Sequence, residues 1–325
     1  MRYIKKNIAV LVVMATMFVS CQKDEYTLPE AVKELTNDCI KRTIGPNIVS
    51  LPIEFAYAMA IPKSKGKLVS AQVEASIAGA TGTYLEHRSF YTNTGGVDVP
   101  VTVGTPSSND GKSTKVAFTV DTTAATLRYY YVIPEEARGQ SVTFTFSATS
   151  SNGQTVSYKM GPYTIAKMGI KRNIAVSNGN LAYISIENMT AYTAAEAAAN
   201  AGKVDLVYLY RATPASFTHA LVSPGADASL LPGVTLPSGV NRSSKLRKVF
   251  NLQDRNLANL QFGIYVDDKD LQEVDLTDAP NYALGLRAEA GTWVETADKK
   301  YKAYIFVNTV NANGSAVISM LRYAL

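Results

Sequence analysis

The chain has 325 residues, 46% hydrophobic and 18% charged, which is a soluble globular composition long enough for two ordinary domains or one large β domain. Its formal charge of +5 falls to +2 once Arg2, Lys5 and Lys6 of the leader are set aside. No dense basic run remains, so nucleic acid and charged membrane surfaces lose their warrant as partners. Nineteen Tyr against ten Phe and one Trp, with much Thr, Val and Ser, lean towards strands.

Residues 1–7 carry the leader's positive charges, and Ile8–Val19 is an apolar run too short for a spanning helix of ~20 residues. Together they read as an export signal over residues 1–20. Phe18-Val19-Ser20-Cys21 places a small residue directly before a cysteine. This resembles a bacterial lipobox, from whose usual leucine Phe18 departs. The resemblance implies that Cys21 becomes the new N-terminus and carries acyl chains, palmitate among them. Several chains anchor stably, since each buried CH₂ contributes roughly 0.8 kcal/mol. The alternative is an ordinary signal that leaves Cys21 free. Gln22, Lys23, Asp24 and Glu25 look like the surface-export signal of Bacteroidetes lipoproteins, which implies a protein facing outward on the outer membrane; otherwise they only begin a solvated tether.

Residues 21–39 read as the lipidated start and tether, with one helical turn expected at Ala31–Leu35. Once Cys21 is acylated, Cys39 has no partner for an internal disulfide, and it reads as a small buried hydrophobe.

The fold class expected is mainly β. Residues 40–168 predict an immunoglobulin-like β-sandwich without a Cys-Trp-Cys pattern. Val116–Val120 alternates, and Val142, Phe144, Phe146 and Ala148 share one face of "SVTFTFSATS". The Asn-Gly turn in "SSNG" returns the chain as a partner strand over Thr155–Ile165. "IKRNI" at Ile170 echoes "IKRTI" at Ile40, and residues 169–325 predict a β-rich domain with short helices. Thr193-Ala-Ala-Glu196 is a capping box opening a helix that Gly202 stops. "KVDLVYLY" reads as a strand buried on both faces. Ser244–Leu260 predicts a second helix, "QFGIYV" a strand, and Tyr301–Leu325 a closing hairpin around "NANG".

The phrases "IEFAYAMAIP", "ASIAGATGTYLE", "LRYYYVIPEEARGQSVTFTFSATSSNG", "GPYTIAKM", "AYISIE" and "LVYLYR" resemble a two-domain Bacteroidetes outer-membrane lipoprotein family of uncharacterised function. Such lipoproteins often accompany glycan-uptake systems, which makes glycan and outer-membrane uptake proteins the implied partners. The resemblance brings no active site with it.

Catalytic motifs are scarce. "GTPSSNDGKST" has six residues between its glycines rather than four and leads into a strand, so it reads as a polar hairpin loop and not a phosphate cradle. His87 and His219 are the only histidines, and no serine elbow, metal-ligand spacing or cofactor motif is present. Asp267, Asp268 and Asp270 cluster on an expected turn, a solvated acidic turn or a calcium site lacking the usual glycine. Sugars pack C–H faces on aromatic rings, so Tyr91, Tyr129, Tyr131 and Trp293 are the candidate glycan contacts, with core as the competing role for Trp293 and for one face of the Tyr129–Tyr131 strand. Asp121-Thr122-Thr123 resembles a Bacteroidetes O-glycosylation acceptor at Thr122. The expected function is non-catalytic glycan binding, or support of glycan uptake, by a lipid-anchored surface protein. Structural or adhesive assembly with other chains is the alternative, and glycan hydrolysis the third.

Overall fold

The computed structural model describes residues 33–250, 257 and 263–325. The first half holds strands β1 (Thr36–Lys41), β2 (Pro52–Ala60), β3 (Leu68–Ala75), β4 (Tyr84–Leu85), β5 (Arg88–Thr92) and β6 (Asp98–Thr102). It continues with β7 (Ser108–Asp110), β8 (Ser113–Ala117), β9 (Ala124–Val132), β10 (Ser141–Ser150) and β11 (Thr155–Thr164). They form a sandwich of immunoglobulin type, one sheet ordered β1-β2-β9-β4 and the other β11-β10-β3-β8-β7, with β5 and β6 as a separate two-stranded ribbon. Strict alternation builds its core. Phe55, Tyr57, Tyr129 and Tyr131 from the first sheet meet Val73, Phe144 and Phe146 from the second, all buried. Phe55 and Phe144 lie 4.9 Å apart, as do Tyr131 and Phe144, in tilted and edge-on geometries that suit ring quadrupoles.

The turn after β10 uses Gly153 at φ 84°, where a side chain would be strained. Gly161 at φ 98° sits where the β10–β11 register shifts, and a Cβ there would lie 2.9 Å from the Val142 carbonyl oxygen. Leu35 is buried against this sandwich, its N–H donating to Gln154 Oε1, and the described part of the expected helical turn, residues 33–35, is irregular chain with a bend at Glu34.

The second half holds β12 (Gly169–Ser177), β13 (Tyr183–Ser185), β14 (Thr190–Tyr192), helix α1 (Ala194–Ala199), β15 (Leu206–Arg211), β16 (Thr218–Val222) and β17 (Lys245–Val249). Helix α2 (Asp268–Glu273), β18 (Tyr282–Leu286), β19 (Gly291–Glu295), β20 (Tyr301–Val310) and β21 (Ser315–Ala324) complete it. One sheet runs β12-β21-β20-β19-β17 and the other β14-β13-β15-β16-β18. Ile184, Leu206, Ile305 and Ile318 fill the space between them. Each sheet also buries its far face. Val207 and Leu209 pack with Ala197 of α1 on one side, while Tyr304 and Leu321 pack with Leu271 of α2 on the other. That is why "KVDLVYLY" carries apolar residues without alternation.

The Thr193–Glu196 capping box is present, although the helix ends at Ala199 and a 3₁₀ turn, Ala201–Lys203, precedes β15. Two expectations fail. Lys245–Val249 is a strand paired with β19, because burying Leu246 in the sandwich outweighs a helical spacing shared by only a few leucines. Of the rest of that expected helix, Ser244 and Phe250 are irregular chain, Leu257 is helical, and the remainder lies outside the described residues. The described part of "QFGIYV", Gly263–Val266, is irregular chain whose Ile264 and Val266 enter a core rather than a ladder.

Candidate functional site

The outward face of the first sheet is shaped by β2. Its inward residues Ile53, Phe55, Tyr57 and Met59 are buried, so Glu54, Ala56, Ala58 and Ala60 point out. Three methyl side chains in a row leave a trough. Register places Asp38 of β1 and Thr126 of β9 beside Ala58, and Thr36 and Ala124 beside Ala60. The opposite wall is the β5–β6 ribbon, and the groove between holds about 440 Å³.

An isolated ribbon is marginal in water, and this one is held by polar contacts. The Thr126 N–H donates to Ser89 Oγ at 2.9 Å. The Arg128 guanidinium lies 3.9 Å from the Phe90 ring centre and pairs with Asp98. Asn93 Oδ1 accepts from the Gly95 and Val97 N–H groups and fixes the ribbon's tip. Held in this way, Tyr91 stays 56% exposed at the groove's rim.

The other sequence candidates go elsewhere. Tyr129 and Tyr131 are core residues with 1% and 0% exposure, so neither ring is open to a ligand. Burial raises both phenols, Tyr131 to about 12. The Tyr131 hydroxyl donates to the Ile77 carbonyl. On the β9 strand the outward parity belongs to Thr126, Arg128 and Tyr130, so Tyr130 is the available ring. Trp293 is buried on β19 against Tyr304, 4.8 Å between ring centres, and serves as core. Thr122 is half-buried, its hydroxyl donating to the Ala124 carbonyl at 2.8 Å. Cys39 is buried, and its thiol is pushed up to about 12 by burial and then by the Asp38 charge. Cys21 and the export residues Gln22, Lys23, Asp24 and Glu25 lie outside the described residues.

The acidic cluster is not an open turn. Asp267 caps α2, accepting from the Lys269 and Asp270 N–H groups, and Asp270 returns the bond to the Asp267 N–H. Asp268 accepts from Lys167 N–H at 2.6 Å and Met168 N–H at 2.8 Å. With those bonds made, the cluster is a helix start, and among the described residues no group of His, Cys, Asp and Glu has metal-ligand geometry.

Sequence reasoning also missed polar groups in the second half. His219 is buried with Nδ1 2.6 Å from the Tyr208 hydroxyl, and burial lowers its basicity. Asp205 is fully buried. One oxygen accepts from the Ile186 N–H, and the other lies 3.3 Å from the Arg242 guanidinium without hydrogen-bond geometry. Burial raises its carboxyl from 3.8 to about 6, against the Ile186 bond and the Arg242 charge. The folded state therefore holds this proton more tightly than the unfolded chain. The stability this lends is full below about pH 4 and is lost as pH rises towards 6, a fall of roughly 2–3 kcal/mol. In Asp205→Asn that component of the pH dependence of the urea midpoint is expected to vanish; an unchanged slope would refute it.

Two family models match the chain, each described as a domain of unknown function: DUF4466 over residues 32–165 and DUF8576 over residues 166–325. The crystal structure of a DUF4466 family protein from Parabacteroides merdae is 47% identical with a TM-score of 0.85, the match covering 91% of this chain and 100% of that one. The chain belongs to the DUF4466 family. No curated protein matches it. A fragment of the major pilin GBS80 of Streptococcus agalactiae is 11% identical at a TM-score of 0.25, over 46% of this chain and 59% of that one. The major pilin subunit BcpA of Bacillus cereus is 9% identical at 0.30, over 90% and 67%. Overlap of that extent carries nothing about what this chain does.

Proposed function

We propose that this protein is a lipid-anchored protein of the outer-membrane surface that binds glycan without transforming it, alone or in support of a glycan-uptake system. The observation that carries the reading is the alanine-floored groove with Tyr91 exposed at its rim. A flat apolar ring beside hydroxyl and carboxylate groups offers what a sugar presents, C–H faces flanked by hydroxyls. The address rests on the export signal and on Cys21.

The test is a glycan array on the chain from Gln22 onward, with isothermal titration of hits. Tyr91→Ala is expected to weaken binding about tenfold, some 1.4 kcal/mol, with the melting temperature unchanged because the side chain is exposed. A blank array would favour assembly with other chains, for which the ten-residue edge strand β11 is the available template. Product on incubation would favour an enzyme. Cys21→Ala is expected to abolish acyl labelling and release the protein from the membrane; labelling that persists would refute the anchor.

A further inference from the structure

The groove at Tyr91 is one end of a longer surface. Four outward residues lie in one row across the first sheet at the level of Glu54: Arg42 on the segment after β1, Glu54 on β2, Tyr130 on β9 and Tyr84 on β4. Tyr84 and Tyr130 are cross-strand partners whose rings stack 4.7 Å apart at 15°, and Tyr84 at the sheet edge is 40% exposed. Stacked in this way the pair is a stiff aromatic platform that loses little freedom when a ligand settles on it. Glu54 is four residues from Ala58, and both point outward. Along a strand that separation is roughly 13 Å, more than a single sugar ring spans. Between the two levels β2 presents Ala56, and the neighbouring Ile40 on β1 is exposed. Nothing bulky rises from β2 along this line.

Apart from Asp38 in the groove, whose carboxylate accepts from the Cys39 N–H, the charges on this face cancel in pairs. Arg42 lies 3.8 Å from Glu54, and Arg128 pairs with Asp98. Arg88 binds both carboxylate oxygens of Glu86 at 2.9 and 2.5 Å, with His87 Nδ1 3.2 Å from the same group. An acidic sugar meets no arginine without its own carboxylate here and is repelled by Asp38, whereas the hydroxyls of a neutral sugar can donate to that carboxylate.

We infer that the Tyr84–Tyr130 pair is a second sugar-stacking subsite, and that the ligand is a neutral, linear glycan lying along β2 from Tyr91 to this pair. The inference rests on the glycan-binding reading above and adds the ligand's charge class, minimum length and direction. Binding at one ring would saturate with a disaccharide; binding at both requires an oligomer long enough to reach.

The experiment is isothermal titration of the chain from Gln22 with neutral gluco-, manno- and xylo-oligosaccharide series from dimer to hexamer, and with polygalacturonate as the acidic comparison. Affinity is expected to rise with length. Tyr84→Ala should lower affinity for the hexamer about tenfold and leave the dimer unchanged, whereas Tyr91→Ala lowers both. Tyr84→Leu, which keeps an apolar group at the edge, guards against a folding defect and should show the same length dependence, with an unaltered thermal melt. If Tyr91→Ala weakens binding while Tyr84→Ala and Tyr84→Leu do not, the second subsite is wrong and the glycan-binding reading survives. Preference for polygalacturonate overturns the neutral class. Absence of binding by every series overturns inference and reading together. A concentration-dependent dimer lost in Tyr84→Ala would reassign the face to a second copy of the chain.

Discussion

Tyr129→Ala is expected to destabilise the protein by about 3–5 kcal/mol, the range for emptying a large aromatic site in a core, while leaving glycan affinity per folded molecule unchanged. The ring is surrounded by aromatic partners: Phe144 at 6.0 Å and Phe146 at 5.9 Å, both edge-on, and Phe55 at 6.3 Å. Its hydroxyl is bonded to Thr114, a buried residue of β8 in the opposite sheet. None of these neighbours can collapse into the vacated volume without leaving its own contacts, because each rests on a paired strand of one sheet or the other. Urea unfolding of the variant beside Tyr91→Ala separates the two kinds of tyrosine. The core residue should shift the midpoint and the rim residue should shift only the titration. Loss of binding in Tyr129→Ala with an unmoved midpoint would show that the ring faces ligand.

That contrast also marks what the sequence could reveal. Alternation in "SVTFTFSATS" and in "EFAYAMA" fixes which residues face together, and the sandwich follows from it. The Asn-Gly turns and the Thr193 capping box are local, since each needs only a few neighbouring residues to be satisfied. In "LRYYYVIP" three tyrosines in a row erase the polar–apolar difference that would show which parity is buried. The answer came from the partner strand, where Phe55 faces Tyr129 and Glu54 faces Tyr130. Register is non-local, and so is the site: Tyr84, Tyr130 and Tyr91 meet one surface only after β2, β9 and the ribbon have been aligned. Trp293 and Lys245–Val249 are similar cases. Burial on both faces of the β17–β19–β20 sheet decided them, and no short window contains that information.

Asp268→Ala and Arg138→Ala should have the next largest effect, and at a place with no ligand. The junction between the two halves, Lys167-Met168, has all four backbone polar groups held by two side chains. Asp268 accepts from both N–H groups, and Arg138 donates from one terminal nitrogen to the Lys167 carbonyl at 2.8 Å and the Met168 carbonyl at 2.9 Å. Glu135 in turn accepts two bonds from Arg138 and orients it. Around this clamp a single apolar cluster takes Ile48 from the first half, Ala166 and Met168 from the junction, and Leu271, Trp293, Tyr304 and Leu321 from the second. Hydrogen bonds to charged groups contribute about 1.5–3 kcal/mol each, so losing two partly exposed ones in Asp268→Ala should cost about 3 kcal/mol. The readout is local opening. Trypsin cleaves after Lys167 only when the junction leaves its carboxylate, and in the regime where opening is fast the rate follows the open population. A loss of about 3 kcal/mol therefore predicts cleavage after Lys167 roughly 150-fold faster, with the new fragment ends identified by mass spectrometry. The Asp268→Ala, Arg138→Ala pair should be less than additive, since each variant already frees the segment that the other holds. Cleavage at the wild-type rate in both variants would mean that the apolar cluster alone fixes the halves, and that the clamp is incidental.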